Sequence, residues 1–266
     1  MDLGVIIILL IFGLIFGMIS SITGIGGGAL YMSLMVLLFT IPIDEARDTS
    51  TFIIVLFSGA AFISYFRQGK VDLKLSLIFA FLALLGGITA TIFFLLFPID
   101  NYILKIIIAS VVFASGLNMI RKAIKSYNLD KKNNDVLEIE FSFENYDYKL
   151  KLIKGIPLFF FAGFVAYVSG IGGGMLFVPI LSIIFNIPIH YTTAISASMI
   201  FFIGIYNAGV RMIIGEIHYL IGILIGIGAI TGSLLGARTS SKIPKDYLQF
   251  GVAVILIILS IRLYFV

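Results

Sequence analysis

The chain has no cysteine, only two histidines and few charges of either sign. Without cysteine there is no disulfide scaffold, no thiol chemistry and no cysteine-ligated metal. Charged residues make up 12% of the 266 positions, against about 25% in an ordinary soluble domain. The shortage is uneven. Residues 121–154 hold 8 of the 18 Lys/Arg and 6 of the 14 Asp/Glu, which leaves 18 charges for the other 232 residues. No water-facing surface can be built from so few. Hydrophobic residues reach 60% and mean hydropathy is +1.14, so disorder and collagen are excluded as well. What is left is an all-α polytopic membrane protein, with the lipid bilayer as its first partner. The net charge of +4 does not argue for nucleic acid, because basic residues in such proteins set topology.

Met1-Asp2-Leu3-Gly4 leads straight into a long apolar run. A secretory signal needs a basic n-region and a short h-region, so this start reads as a retained membrane segment. Internal duplication is visible further on. Gly24-Ile25-Gly26-Gly27-Gly28 recurs as Gly170-Ile171-Gly172-Gly173-Gly174, an offset of 146. Without a gap, that offset also aligns Ile41-Pro42-Ile43 with Ile187-Pro188-Ile189, Ser50 with Ser196, Gly69 with Gly215, Gly86 with Gly232, Pro98 with Pro244 and Asp100 with Asp246. Glycine and proline fix backbone geometry, so their agreement is informative. Residues 1–120 and 155–266 therefore read as two transmembrane repeats around a linker, 121–154.

Apolar segments follow the same order in each half: 4–22, 29–40, 50–66, 75–97 and 102–120, then 157–169, 175–185, 193–210, 219–237 and 247–264. The last three of each half are long enough to span, since about 20 residues cross a bilayer core. The pieces flanking the glycines form either one broken helix or a re-entrant hairpin. The hairpin gives three net crossings and inverted repeats; the broken helix gives parallel repeats of four plus four. Placing 121–154 inside favours the inverted form, with 14 basic residues inside and Arg47, Lys105, Arg211 and Arg262 outside. Within the linker, period-two alternation over 136–143 and 146–152 predicts a small cytoplasmic β-hairpin.

Each glycine in a helix costs about 1 kcal/mol relative to alanine, and unpaired backbone groups inside a bilayer cost more unless they line a cavity or meet a ligand. Two glycine turns meeting near the midplane point N–H groups and helix dipole ends into one space, which suits an anion. The candidate substrate-binding residues are Gly26, Gly27, Gly28, Gly172, Gly173 and Gly174, with the neighbouring hydroxyls of Thr23 and Ser169 (Ser20 and Ser21 lie beside them). Ser50 and Ser196 match across the repeat, and Asn207 is an amide deep in an apolar segment. Close helix packing is the competing use of small residues. Thr49 and Thr192 read as helix caps, and Arg211 as a snorkelling cation. Asp44, Glu45, Asp48, His190, Glu216 and His218 fall in expected loops. Gly24-x-Gly26-x-x-Ala29 fits a dinucleotide pattern formally, but the second copy has Met175 in place of the alanine and no βαβ unit surrounds either. No catalytic constellation, metal spacing or cofactor motif appears within a span.

The paired Gly-x-Gly-Gly-Gly motifs, each followed by a short segment and Ile-Pro, resemble the TauE/SafE sulfite exporter family. Arg67-Gln68-Gly69-Lys70-Val71-Asp72 and Gly232-Ser233-Leu234-Leu235-Gly236-Ala237-Arg238 agree with it; Gly215-Glu216-Ile217-His218 departs from the basic pattern. The resemblance implies a permease in the prokaryotic cell membrane that moves sulfite, an organosulfonate or a related small sulfur-containing anion, not an enzyme. It points to Gly26–Gly28 and Gly172–Gly174 as the substrate region. The alternatives are an uncoupled anion channel and a membrane receptor or accessory protein signalling through 121–154. For a driven transporter the coupling partner is a proton or sodium gradient; oligomeric state is open.

Overall fold

The fold is described from a computed structural model. It covers residues 3–97, 100, 102–103, 106–110, 113–114, 116–118, 120–121, 149–241, 250, 253–254, 257–258 and 260–261. Among these there is no strand. The continuous helices are α1 (Leu3–Thr23), α2 (Gly28–Phe39), α3 (Ile43–Arg67), α4 (Leu73–Leu96), α5 (Lys149–Ser169), α6 (Gly174–Pro179), α7 (Ile189–Ile214) and α8 (Tyr219–Thr239). Five of them (α1, α3, α4, α7 and α8) are long and apolar enough to cross a membrane. Large apolar side chains such as Ile11, Phe81, Leu95, Ile213 and Ile227 are exposed on their outer faces, as a lipid-facing surface requires.

Local chemistry repeats at the offset of 146. Gly24 (φ 70°) stops α1 and Gly170 (φ 64°) stops α5. Thr40 and Asn186 both adopt the left-handed conformation, at φ 50° and 54°, just before Pro42 and Pro188 at the starts of α3 and α7. The copies diverge at α6. Pro179 lacks the N–H that Ser33 supplies at the matching place in α2, and a π turn over Ile180–Ile184 follows.

The central helices begin earlier than the hydropathy suggests. The segment expected to start at residue 50 is helical from Ile43, and the one expected at 193 is helical from Ile189. Asp44, Glu45 and Asp48 therefore lie on α3 and His190 on α7, not in loops. The two acids of the first turn are favoured there by the positive helix end. Thr49 and Thr192 are not caps. Thr192 Oγ1 donates to Ile187 O (2.9 Å), and Thr49 Oγ1 accepts from His218 N (2.9 Å). The expected linker hairpin lies outside the described residues except for 149–152, which are helical at the start of α5.

The halves interlock. α1 packs on α8, and α5 on α4. A Cβ built on Gly17 would strike the backbone of Ala229, and one on Gly232 that of Leu14. At matching positions, Gly163 meets Ala83 and Gly86 meets Phe160. Small residues here bring helix backbones together, as in membrane helix pairs generally. α3 and α7 pack against each other at the centre and run antiparallel: Gly59 faces Phe201, and Gly204 faces Val55. The chain turns back at the first glycine loop, since the ring of Tyr31 on α2 sits 6.0 Å from that of Phe16 on α1.

Candidate functional site

The two glycine loops pass each other in contact beside the centre of α3 and α7. A Cβ on Gly174 would lie 2.5 Å from Gly24 O and from Ile25 C; one on Gly28 would lie 2.5 Å from Gly170 O and 2.7 Å from Ile171 Cα. Glycine is needed for shape as well as space, with positive φ at Gly26 (86°) and Gly172 (89°). Each loop is held by a hydroxyl from the opposite half. Ser196 Oγ donates to Gly24 O (2.7 Å), and Ser50 Oγ to Gly170 O (3.0 Å) and Arg47 O (2.7 Å). Ile54 and Ile200 lie across Gly172, and Ile200 also faces Gly26.

The expected site residues thus divide. Gly26–Gly28 and Gly172–Gly174 come together with Ser50 and Ser196; the single hydroxyl proton of Ser196 is spent on Gly24 O, and that of Ser50 is shared between Arg47 O and Gly170 O. Thr23 Oγ1 donates to Ile19 O (2.9 Å) and Ser169 Oγ to Val165 O (2.6 Å), so both are engaged with their own helices. Asn207 lies elsewhere on the same axis. It is 4% exposed, and its Oδ1 has no hydrogen-bond partner. It lines a cavity of about 10 Å³ with Thr51, Ile54, Ala166, Gly170, Gly172, Ile200, Ile203 and Gly204, room for about one water.

Behind this cavity is a charge cluster that the sequence did not assemble. Arg47 Nε donates to Asp48 Oδ1 at 2.9 Å, and Arg211 Nε approaches the same oxygen at 3.3 Å. Asp48 Oδ2 accepts from Glu216 N (3.3 Å). Arg211 Nη2 donates to Tyr167 O (3.3 Å), and its guanidinium carbon lies 4.3 Å from the centre of the Tyr167 ring, a cation–π arrangement. Arg47, Asp48 and Arg211 are all buried. Arg211 therefore does not snorkel, and Asp48 is not a solvated loop residue. Farther out, His218 Nε2 contacts Glu45 Oε2 at a partly exposed position.

The cluster is confined to one half of the pseudo-symmetric centre. At an offset of 146, Arg47, Asp48 and Thr51 correspond to Thr193, Ala194 and Ala197; Asn207 and Arg211 correspond to Ala61 and Tyr65. The surrounding geometry is kept: Tyr65 Oη donates to Ser21 O (2.7 Å) where Arg211 donates to Tyr167 O. One loop is flanked by arginines, a carboxylate and an amide; the other is flanked by Ala61, Tyr65, Ala194 and Ala197, packed in one apolar cluster. That asymmetry was the available signal in the sequence, because each charge stands opposite an uncharged residue.

A bundle of apolar helices around two touching, glycine-bent loops and a buried polar pocket is the build of a multi-pass membrane transporter. Residues 9–263 match the family described as "Sulfite exporter TauE/SafE", and the chain belongs to that family. It is 25% identical over 268 residues to the probable membrane transporter protein YunE of Bacillus subtilis (strain 168), covering 97% of each chain. It is 27% identical over 266 residues to the probable membrane transporter protein MJ0441 of Methanocaldococcus jannaschii, covering 94% of this chain and 91% of that one. A probable membrane transporter protein of Haemophilus influenzae is 28% identical over 255 residues, covering 95% and 82%. No solved structure matches the chain.

Proposed function

We propose that this transporter is a permease for a small sulfur-containing oxyanion, sulfite or an organosulfonate, bound where the second glycine loop meets α3 and α7. The observation that carries the reading is Asn207: a buried amide that lines the cavity edged by Gly170 and Gly172, with an oxygen that lies by Gly87 and has no hydrogen-bond partner. A buried amide left unpaired costs about 1–3 kcal/mol, and a polar ligand removes that cost. An amide turned by half a revolution presents its N–H₂ group to an oxyanion. The loop of the other half, Gly26–Gly28, packs directly against Gly170 and Ile171, and the α2 start behind it has first-turn N–H groups without an acceptor in the helix. Ser50, Ser196, Thr23 and Ser169 keep the loops in shape.

The antiparallel course of α3 and α7 and the turn-back between α1 and α2 support inverted repeats with re-entrant hairpins over the parallel arrangement. Room for one water is less than a sulfite needs, so substrate entry requires α3 and α7 to part, as rocking of one repeat against the other provides.

The test is uptake of labelled sulfite and sulfoacetate by liposomes containing the purified protein. Asn207→Ala, which removes the amide without adding volume, should cut uptake at least about tenfold, the equivalent of one lost charge-assisted hydrogen bond, while the protein stays folded and monodisperse. Uptake at the unmodified rate would remove Asn207 from the site.

A further inference from the structure

The buried cluster itself holds two guanidinium groups and one carboxylate, so within it the positive charges outnumber the negative by one, with Asp44 one turn before Arg47 on the same face. Breaking even in such a place takes close pairing, and here the pairing is incomplete. Both arginines reach Asp48 through Nε alone and share one oxygen. Arg211 gives one further hydrogen to Tyr167 O. Among the described residues, the remaining guanidinium donors make no hydrogen bond. The forked donor pair, the part of arginine that grips an oxyanion at two points, is unused on Arg47, and on Arg211 only Nη2 is engaged, by the Tyr167 carbonyl. The Tyr167 ring and carbonyl supply partial compensation and no counter-charge. Glu45 faces His218, Glu216 contributes its backbone N–H, and its side chain is exposed.

The positions form a continuous line. Along α3, Asp44, Arg47, Thr51 and Ile54 are spaced three or four apart; along α7, Arg211, Asn207, Ile203 and Ile200 are spaced likewise. Such spacings share one helix face, and both lines end at the cavity beside Gly172. From the end of the bundle that carries the 215–218 loop inward, the order is a partly exposed Glu45–His218 pair, the buried arginines, then Thr51 and Asn207. On the far side of the loops lies the apolar cluster of Ala61, Tyr65, Ala194 and Ala197.

We propose that Arg47 and Arg211 form an oxyanion-binding pair at this mouth, and that the Asp48 carboxylate is its resting occupant, displaced when a sulfonate, sulfite or similar oxyanion arrives. This rests on the reading of the protein as an oxyanion permease. Asp48 then acts as a built-in competitor. It neutralises part of the excess charge while the site is empty, and it lowers the affinity enough for a bound anion to leave. A chloride-sized ion lacks the paired oxygens that both forks require, so the pair selects oxyanions.

Anion affinity is measured by thermal shift and calorimetry on full-length protein in detergent, at constant ionic strength, with sulfite, sulfate, thiosulfate and sulfoacetate as probes. Asp48→Asn should bind the best of these at least about tenfold more tightly than the unmodified protein, since a charged competitor for the forks is gone. Arg211→Gln should lose at least as much affinity. The double variant D48N/R211Q, which keeps the net charge and serves if Asp48→Asn does not fold, should regain binding through Arg47. Equal affinities in Asp48→Asn and the unmodified protein, or no recovery in the double variant, overturn the proposal while liposome uptake by the unmodified protein still stands. If the unmodified protein neither binds nor moves any probe, the permease reading fails with it.

Discussion

Replacing Gly174 with alanine tests the contact between the two loops directly. Gly174 starts a helix, and its φ is not among the positive values, so the backbone accepts a side chain without strain. Space is the obstacle. The added Cβ would sit 2.5 Å from Gly24 O and Ile25 C, with Ile25 O closer still, where ordinary contact begins at 3.4 Å. The facing loop would have to recede by about 1 Å, the difference between those distances. Its atoms are backbone, pinned by Ser196 at Gly24 O and backed by Thr193. Retreat also loads the second crossing, where Gly28 already faces Gly170 O and Ile171. Overpacking of this kind costs about 1–3 kcal/mol. At roughly 2–4 °C per kcal/mol for a chain of this size, Tm should fall by several degrees, up to about 10 °C. The control is Gly209→Ala on α7, where a Cβ meets nothing within 4 Å; helix propensity there gains up to about 1 kcal/mol. Both variants are heated in detergent, and the fraction still monodisperse is read by size exclusion. If Gly174→Ala melts together with Gly209→Ala, the loops do not touch as described and the argument is refuted.

Three further outcomes follow from the same geometry. Ser50→Ala and Ser196→Ala each leave a buried loop carbonyl short of a donor, so each should lower stability by about 1–3 kcal/mol; a Tm within a degree of the unmodified protein for either would show that the hydroxyl does not hold its loop. Gly163→Val should separate α5 from α4 and reduce the yield of folded protein in membranes far more than Gly4→Val, because Gly163 meets Ala83 backbone while Gly4 has nothing within 4 Å. Glu45→Gln should shift stability by no more than about 1 kcal/mol, because the Glu45–His218 pair is partly exposed and water screens it; a loss of several kcal/mol would mean that the pair is shielded from water.

Helix positions were legible because apolar length and glycine punctuation are local signals. Leu73–Leu96 and Tyr219–Thr239 fall within two residues of the segments read from hydropathy. The start of α3 was not legible. Asp44, Glu45, Arg47 and Asp48 interrupt the apolar run, and nothing near them in the sequence shows that Arg47 offsets Asp48 or that Arg211 lies beside both. Burial of a charge depends on a partner supplied by another helix, and hydropathy averages cannot see it. The glycine loops were found for a reason that was half complete: the residues suit close approach, and what approaches is the other loop. For that reason Gly173→Leu is a poor probe of binding, since φ is 75° there and Phe177 fills the space.

The interlocking of the halves has a consequence for biogenesis. α1 leaves the ribosome long before α8, yet the surface that receives Gly13 and Gly17 belongs to α8, made some two hundred residues later. The nascent first helix must wait in the bilayer with its small-residue face uncovered while the rest is synthesised. Neither half can finish folding before the other exists, because each lends its opening helix to its twin. The duplicated chain is thus a single cooperative object from the insertion step onward, and a stalled or truncated product exposes the very faces that quality control in a membrane can read.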